Sequence, residues 1–77
     1  HLTEKEKKRV LAVYKKGVRS LAGQPVKRVE TKDGFKLFVE TGWVLVRASG
    51  TEPLIRFYAE ADTPENVKAL LTAARNV

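Results

Sequence analysis

KDGFKLFVETGWVLVRASGTEPLIRFYAEAD, residues 32–62, decides the fold. Asp33-Gly34 is a strong hairpin signal, because glycine enters the positive-φ region of a tight turn without a steric penalty. Phe35, Leu37 and Val39 then alternate with polar residues, as in a strand with one buried face. Thr41-Gly42 turns the chain again, Trp43 to Ala48 reads as the next strand, and Leu54 to Ala61 as the one after it. Short links between them favour antiparallel neighbours.

Upstream, Val26 to Thr31 reads as a further, more polar strand. Before it, Thr3 followed by Glu6 forms a capping box, in which hydroxyl and carboxylate satisfy amides that have no partner inside a helix. Val10, Leu11, Tyr14, Val18 and Leu21 recur at helical spacing, Gly17 is a weak point, and Gly23-Gln24-Pro25 is a stop. The helix therefore ends at Lys16 or at Ala22. Downstream, Thr63 caps a second helix, Pro64 suits its first position, Glu65 complements its dipole, and Val67, Leu70, Leu71 and Ala74 make its apolar stripe. The pattern predicts an α+β fold: a four-stranded, mainly antiparallel sheet with two helices packed on one face, in the order helix-strand-strand-strand-strand-helix.

Composition limits the chemistry. Seventy-seven residues point to one small domain, residues 1–77, with a small core. There is no cysteine, and the one histidine is His1, so thiolate metal sites and the usual imidazole base are missing from the sequence. No apolar run approaches the roughly 20 residues of a membrane span, so no membrane contact is expected. The chain opens on His1 rather than Met, which suggests processing, a tag or a larger parent. Its net charge of +6 is uneven: residues 1–36 hold eleven Lys or Arg against four Asp or Glu, and residues 37–77 hold four against five. Such an excess can steer a phosphate-bearing partner or a nucleic acid, although a run like Lys5-Glu6-Lys7-Lys8-Arg9 also serves as the solvated face of a helix.

RASGTEPLIR, residues 47–56, is the part that packing does not explain. Arg47 closes one strand and Arg56 lies inside the next, so a rigid sheet can hold both guanidinium groups beside Ser49-Gly50-Thr51. Arginine offers a planar fork of donors suited to phosphate oxygens, Ser and Thr add hydroxyls, and Gly lets backbone amides approach an anion closely. Pro53 biases Glu52 towards an extended conformation. Composition alone leaves a plain turn with two solvated arginines equally open.

The string resembles the phosphate-binding loop of the α-D-phosphohexomutases, the phosphoglucomutase/phosphomannomutase family, whose last domain carries R-x-S-G/N-T-E-P, two further residues and an Arg. The likeness is sharpest over residues 32–62 and extends, by order of elements, to the whole chain. It implies the C-terminal phosphate-binding domain of a larger multidomain enzyme. In such an enzyme, a phosphoserine on the first domain, supported by Mg²⁺ on the second, exchanges phosphoryl groups with a phosphohexose through a hexose 1,6-bisphosphate. A 1-phosphate thereby becomes a 6-phosphate or the reverse, while the last domain grips the phosphate that is not reacting and closes over the cleft.

Carried over by position, the resemblance implies phosphate contacts at Arg47, Ser49, Gly50 and Thr51, with Arg56 and Glu52 supporting, Glu52 by orienting an arginine. It implies no catalytic residue and no metal ligand in this chain; Mg²⁺ and the bisphosphate activator belong to the full enzyme, whose other domains and phosphohexose substrate, glucose or mannose phosphate, are the partners. The isolated domain is expected to be inactive, to bind phosphosugar at about millimolar affinity or weaker, and to work in the cytoplasm. The loop meets only phosphate, so phosphoglucosamine mutase fits equally well.

A different function class, a small basic α+β module that binds nucleic acid through Lys7, Lys8, Lys15, Lys16 and their neighbours, is the alternative. The other chemistry-bearing residues read more simply. Ser20 and Ser49 have no histidine neighbour for a triad. Glu40, Glu52 and Glu60 read as solvated charges, and Asp33-Gly34 lacks the further carboxylates of a metal loop. Most of Trp43, Phe57 and Tyr58 are expected to fill the core rather than stack on bases.

Overall fold

The computed structural model describes residues 3–50, 52 and 54–77. Helix α1 runs Glu4–Lys16, and its start is the capping box read from sequence: the Glu6 amide donates to Thr3 Oγ1 at 3.1 Å and the Thr3 amide to Glu6 Oε1 at 3.4 Å. The helix stops at Lys16, where the Gly17 amide still reaches the Val13 carbonyl at 3.1 Å. Val18 and Leu21, which continue the helical stripe in sequence, lie beyond this end. Leu21 nevertheless enters the core, because Ser20–Leu21 (β1) and Gln24–Pro25 (β2) form a small antiparallel hairpin that the sequence reading did not contain. Its turn places Ala22 and Gly23 both at positive φ, 50° and 76°. Alanine is a poor residue for that region, so the turn carries no recognisable signature.

Strands β3 (Arg28–Glu30), β4 (Phe35–Phe38), β5 (Gly42–Ala48) and β6 (Ile55–Ala61) form one antiparallel sheet in chain order. The expected strand over Val26 to Thr31 contracts to Arg28–Glu30, a fully exposed edge. Alternation sorts the rest. Phe35, Leu37, Val44, Val46, Phe57 and Ala59 face the helices, with Leu37 paired to Val44 and Val46 to Phe57. Helix α2 (Pro64–Arg75), capped by Thr63 Oγ1 accepting from the Asn66 amide at 3.1 Å, contributes Leu70 and Ala74, while α1 contributes Val10 and Tyr14. Both helices cover the same face, as expected, and the other face is left free of helices.

Two contacts define how tightly this packs. Gly42 begins β5 opposite Ala61, and a Cβ on it would lie 1.9 Å from the Glu60 carbonyl oxygen and 2.7 Å from Ala61 Cα. Only glycine fits. Tyr14 stacks on Phe35, with ring centroids 5.9 Å apart, and donates its phenolic hydrogen to the Ala74 carbonyl at 2.7 Å. That carbonyl lies in the last turn of α2, where helical partners run out.

Burial pushes the Tyr14 phenol up to about 12 from its ordinary 10. A folded value above the unfolded one means that the folded chain keeps a proton the unfolded chain would release. This contribution is whole below pH 10 and is lost as pH rises towards 12. Tyr14→Phe should cost about 1–2 kcal/mol at neutral pH, through the stranded carbonyl, and should flatten the alkaline fall in stability. Denaturant melts of the two proteins at pH 8 and pH 11 measure both effects; parallel alkaline slopes would contradict the assignment.

Candidate functional site

The helix-free face of β5 and β6 carries the residues singled out in sequence. Arg47 and Arg56 are direct cross-strand partners, both exposed. Tyr58, two positions further along β6 and therefore on the same face, is 43% exposed. Together with Ala48, Ser49 and Gly50 these residues line a recess of about 290 Å³, just below the roughly 300–1,000 Å³ range of small-molecule sites.

The electrostatics of this recess are one-sided. Like charges directly opposite on a sheet repel, typically at a cost of a few tenths to about 1 kcal/mol, and among the described residues neither arginine is in an ion pair with a carboxylate. The ion pairs among the described residues are Lys27 with Glu40 and Arg28 with Glu30, both near the opposite edge of the sheet, where β3 lies. The hydrogen bond and the charge of Lys27 hold the Glu40 carboxyl below the ordinary carboxylate range. Among the described residues, no ion pair joins Glu52 to either site arginine.

Glu52 instead contributes through its backbone. Its amide donates to Ser49 Oγ at 3.2 Å, and its carbonyl accepts from the Leu54 amide at 2.8 Å and from Lys7 Nζ at 3.2 Å. The Ser49 amide donates to the Leu54 carbonyl at 3.1 Å, and the Ser49 carbonyl accepts from Lys7 Nζ at 2.7 Å. The turn is thus closed on itself and tied to α1. Gly50 is exposed, and a Cβ added to it would meet nothing within 4 Å. The space above its backbone is left open by its own lack of a side chain, since no neighbour demands glycine there. Thr51, the remaining expected contact, lies outside the described residues.

The structure therefore brings Arg47, Ser49, Gly50 and Arg56 around one recess, adds Tyr58 to its lining, and ties its loop to Lys7, neither of which was expected there. Tyr58 follows from strand periodicity, two positions after Arg56 on the same face. Trp43 is likewise on the helix-free face, where Lys36 Nζ lies 4.3 Å from its ring centroid, while Arg28 Cζ sits 4.4 Å from the Phe38 ring centroid. Of the three aromatics expected to be mostly core, only Phe57 packs against it. Lys7 reads in sequence as a solvated or nucleic-acid-binding cation, and nothing there signals its contact with Ser49, 42 positions away.

No helix among the described residues is long and apolar enough to cross a membrane. The described residues also contain no group of three or more His, Asp or Glu side chains that could hold a metal ion.

The family described as "Phosphoglucomutase/phosphomannomutase, C-terminal domain" matches this chain over residues 2–77. The chain belongs to that family. A phosphoglucomutase/phosphomannomutase from Thermococcus kodakarensis is 46% identical over 54 residues, covering 70% of this chain and 12% of the relative. A phosphoglucosamine mutase from Methanocaldococcus jannaschii is 52% identical over 42 residues, covering 54% and 9%. A crystal structure from Thermus thermophilus assigned to a phosphomannomutase superposes with a TM-score of 0.65 at 50% identity, covering 75% of this chain and 12% of that one. The chain thus spans about a tenth of the length of these relatives. It is a phosphohexomutase C-terminal domain, similar to domains in mutases named for different sugars.

Proposed function

We propose that this phosphohexomutase domain grips the non-reacting phosphate of a phosphohexose while the rest of the enzyme moves a phosphoryl group between the sugar's 1- and 6-positions. The observation that carries this reading is the unneutralised pair Arg47 and Arg56, facing each other beside Ser49 and Gly50. An anion between two opposed guanidinium groups turns their repulsion into two attractions, and charge-assisted bonds of about 1.5–3 kcal/mol each supply the grip. Arg47 is placed to offer its fork to phosphate oxygens, and Gly50 its amide. Ser49 and Thr51 add hydroxyls, with Arg56 as a supporting charge.

Such a grip contributes to catalysis without taking part in the bond changes. Binding energy spent on a remote phosphate orients the reacting end and draws a lid over the cleft. In this reading the phosphoserine, the Mg²⁺ and the hexose 1,6-bisphosphate chemistry reside on the remaining domains. The isolated chain, a single domain of the longer enzyme, is accordingly inactive. Glucose, mannose and glucosamine phosphates present the same group to the recess, so losing a site arginine penalises all three alike. Phosphorylated sugars are charged and held inside cells, so the enzyme works in the cytoplasm.

An amide-resolved NMR titration of the chain with glucose 1-phosphate tests the reading. Shifts centred on residues 47–50, with a dissociation constant of about a millimolar or weaker, are expected. Silence at those residues, with salt-sensitive shifts along α1 on adding a short DNA duplex, would replace it with nucleic-acid binding through the basic half.

A further inference from the structure

We propose that Lys7 is a positioning residue for the anion site: from α1 it fixes the Ser49–Gly50 peptide so that the Gly50 amide is presented to phosphate. The inference rests on the phosphate reading of the recess. Lys7 is half-buried, and its ammonium donates to two carbonyls of one turn, Ser49 at 2.7 Å and Glu52 at 3.2 Å. Among the described residues no hydrogen bond ties the neighbouring Lys5 or Lys8 to the loop.

The geometry of a trans peptide supplies the mechanism. The carbonyl of residue 49 and the amide hydrogen of residue 50 lie in one plane and point in opposite directions, so anchoring the first sets the second. With the Ser49 carbonyl drawn towards α1, the N–H of Gly50 turns away from it, and Gly50 lines the recess. The same two bonds remove partial negative charge from the neighbourhood of an incoming anion. Bonds within the turn, among them Ser49 amide to the Leu54 carbonyl, Glu52 amide to Ser49 Oγ and Leu54 amide to the Glu52 carbonyl, set its shape. Lys7 adds the bond to the Ser49 carbonyl that runs to the loop from α1.

Lys7→Met keeps the aliphatic stem and removes the donors; Lys7→Arg restores donors and charge. Titrating the wild-type chain and both variants with inorganic phosphate, and following residues 47–52 by NMR, should show Lys7→Met binding about ten-fold more weakly and Lys7→Arg recovering most of the loss, with all three chains still folded at the temperature of the titration. In the intact mutase, Lys7→Met should lower kcat/KM by a similar factor, and Lys7→Arg should restore most of it. A wild-type response to phosphate that Lys7→Met leaves intact would overturn this inference alone. A loss that follows melting of the whole chain and is not recovered by Lys7→Arg would overturn it too. A wild-type chain that shows no phosphate response at residues 47–50 would overturn the anion reading, and the role of Lys7 with it.

Discussion

Arg47→Ala in the intact mutase should lower kcat/KM for its phosphohexose by about 100-fold or more. Arg47 has a fork of donors, faces Arg56 across the ladder, and has no carboxylate partner among the described residues. Removing a fork that makes two charge-assisted bonds, at about 1.5–3 kcal/mol each, gives a loss of roughly 3–6 kcal/mol, or about two to four powers of ten. The same change removes a like-charge cross-strand pair, so the ligand-free variant should melt no lower than the wild type. This separates lost binding from lost folding. Steady-state kinetics and a thermal melt on one preparation decide the matter. Wild-type kcat/KM in a folded Arg47→Ala enzyme would end the phosphate-gripping reading, and a cooperative melt shifted down by several degrees would show Arg47 to be structural.

The second large effect is on stability. Gly42→Ala should destabilise the chain by about 2–4 kcal/mol, a large part of what so small a domain has. The added Cβ would meet the Glu60 carbonyl oxygen at 1.9 Å and Ala61 Cα at 2.7 Å. Both are backbone atoms of β6, so relief requires the strands to part rather than a side chain to rotate. The clash lies at the end of the β5–β6 ladder remote from Arg47 and Arg56, so the molecules that remain folded should still bind phosphate normally. Urea denaturation measures the loss. A change below about 0.5 kcal/mol, the ordinary range of surface substitutions, would show that β5 and β6 do not approach so closely.

Much of this architecture is legible because its signals are local. Thr3 with Glu6, and Thr63 with Pro64, mark where each helix begins, and the alternation of Leu37, Val44 and Val46 marks the buried face. What is not legible depends on non-local geometry. Val18 and Leu21 fit a helical stripe, yet Gly17 ends the helix and Leu21 reaches the core from a two-residue strand. Trp43 and Tyr58 look like core residues, but their parity along β5 and β6 turns them outward. In the site, the composition of RASGTEPLIR shows that Arg47 and Arg56 stand near one turn. That they are direct partners follows from the register that pairs Ala48 with Ile55, and residues 49–54 do not announce this register. The role of Lys7 is visible only once α1 has been placed.

Because the sheet order follows chain order, every strand meets its partner through a short loop, and the closure entropy of each pairing is small. The two site arginines are brought together by a single hairpin, β5 with β6, a unit of the kind that forms in about 1–10 μs. The Lys7 contact spans 42 positions and can form only when α1 docks. Pairing the two arginines thus takes one short loop closure, whereas the tether that orients their loop depends on the docking of a helix from the other end of the chain.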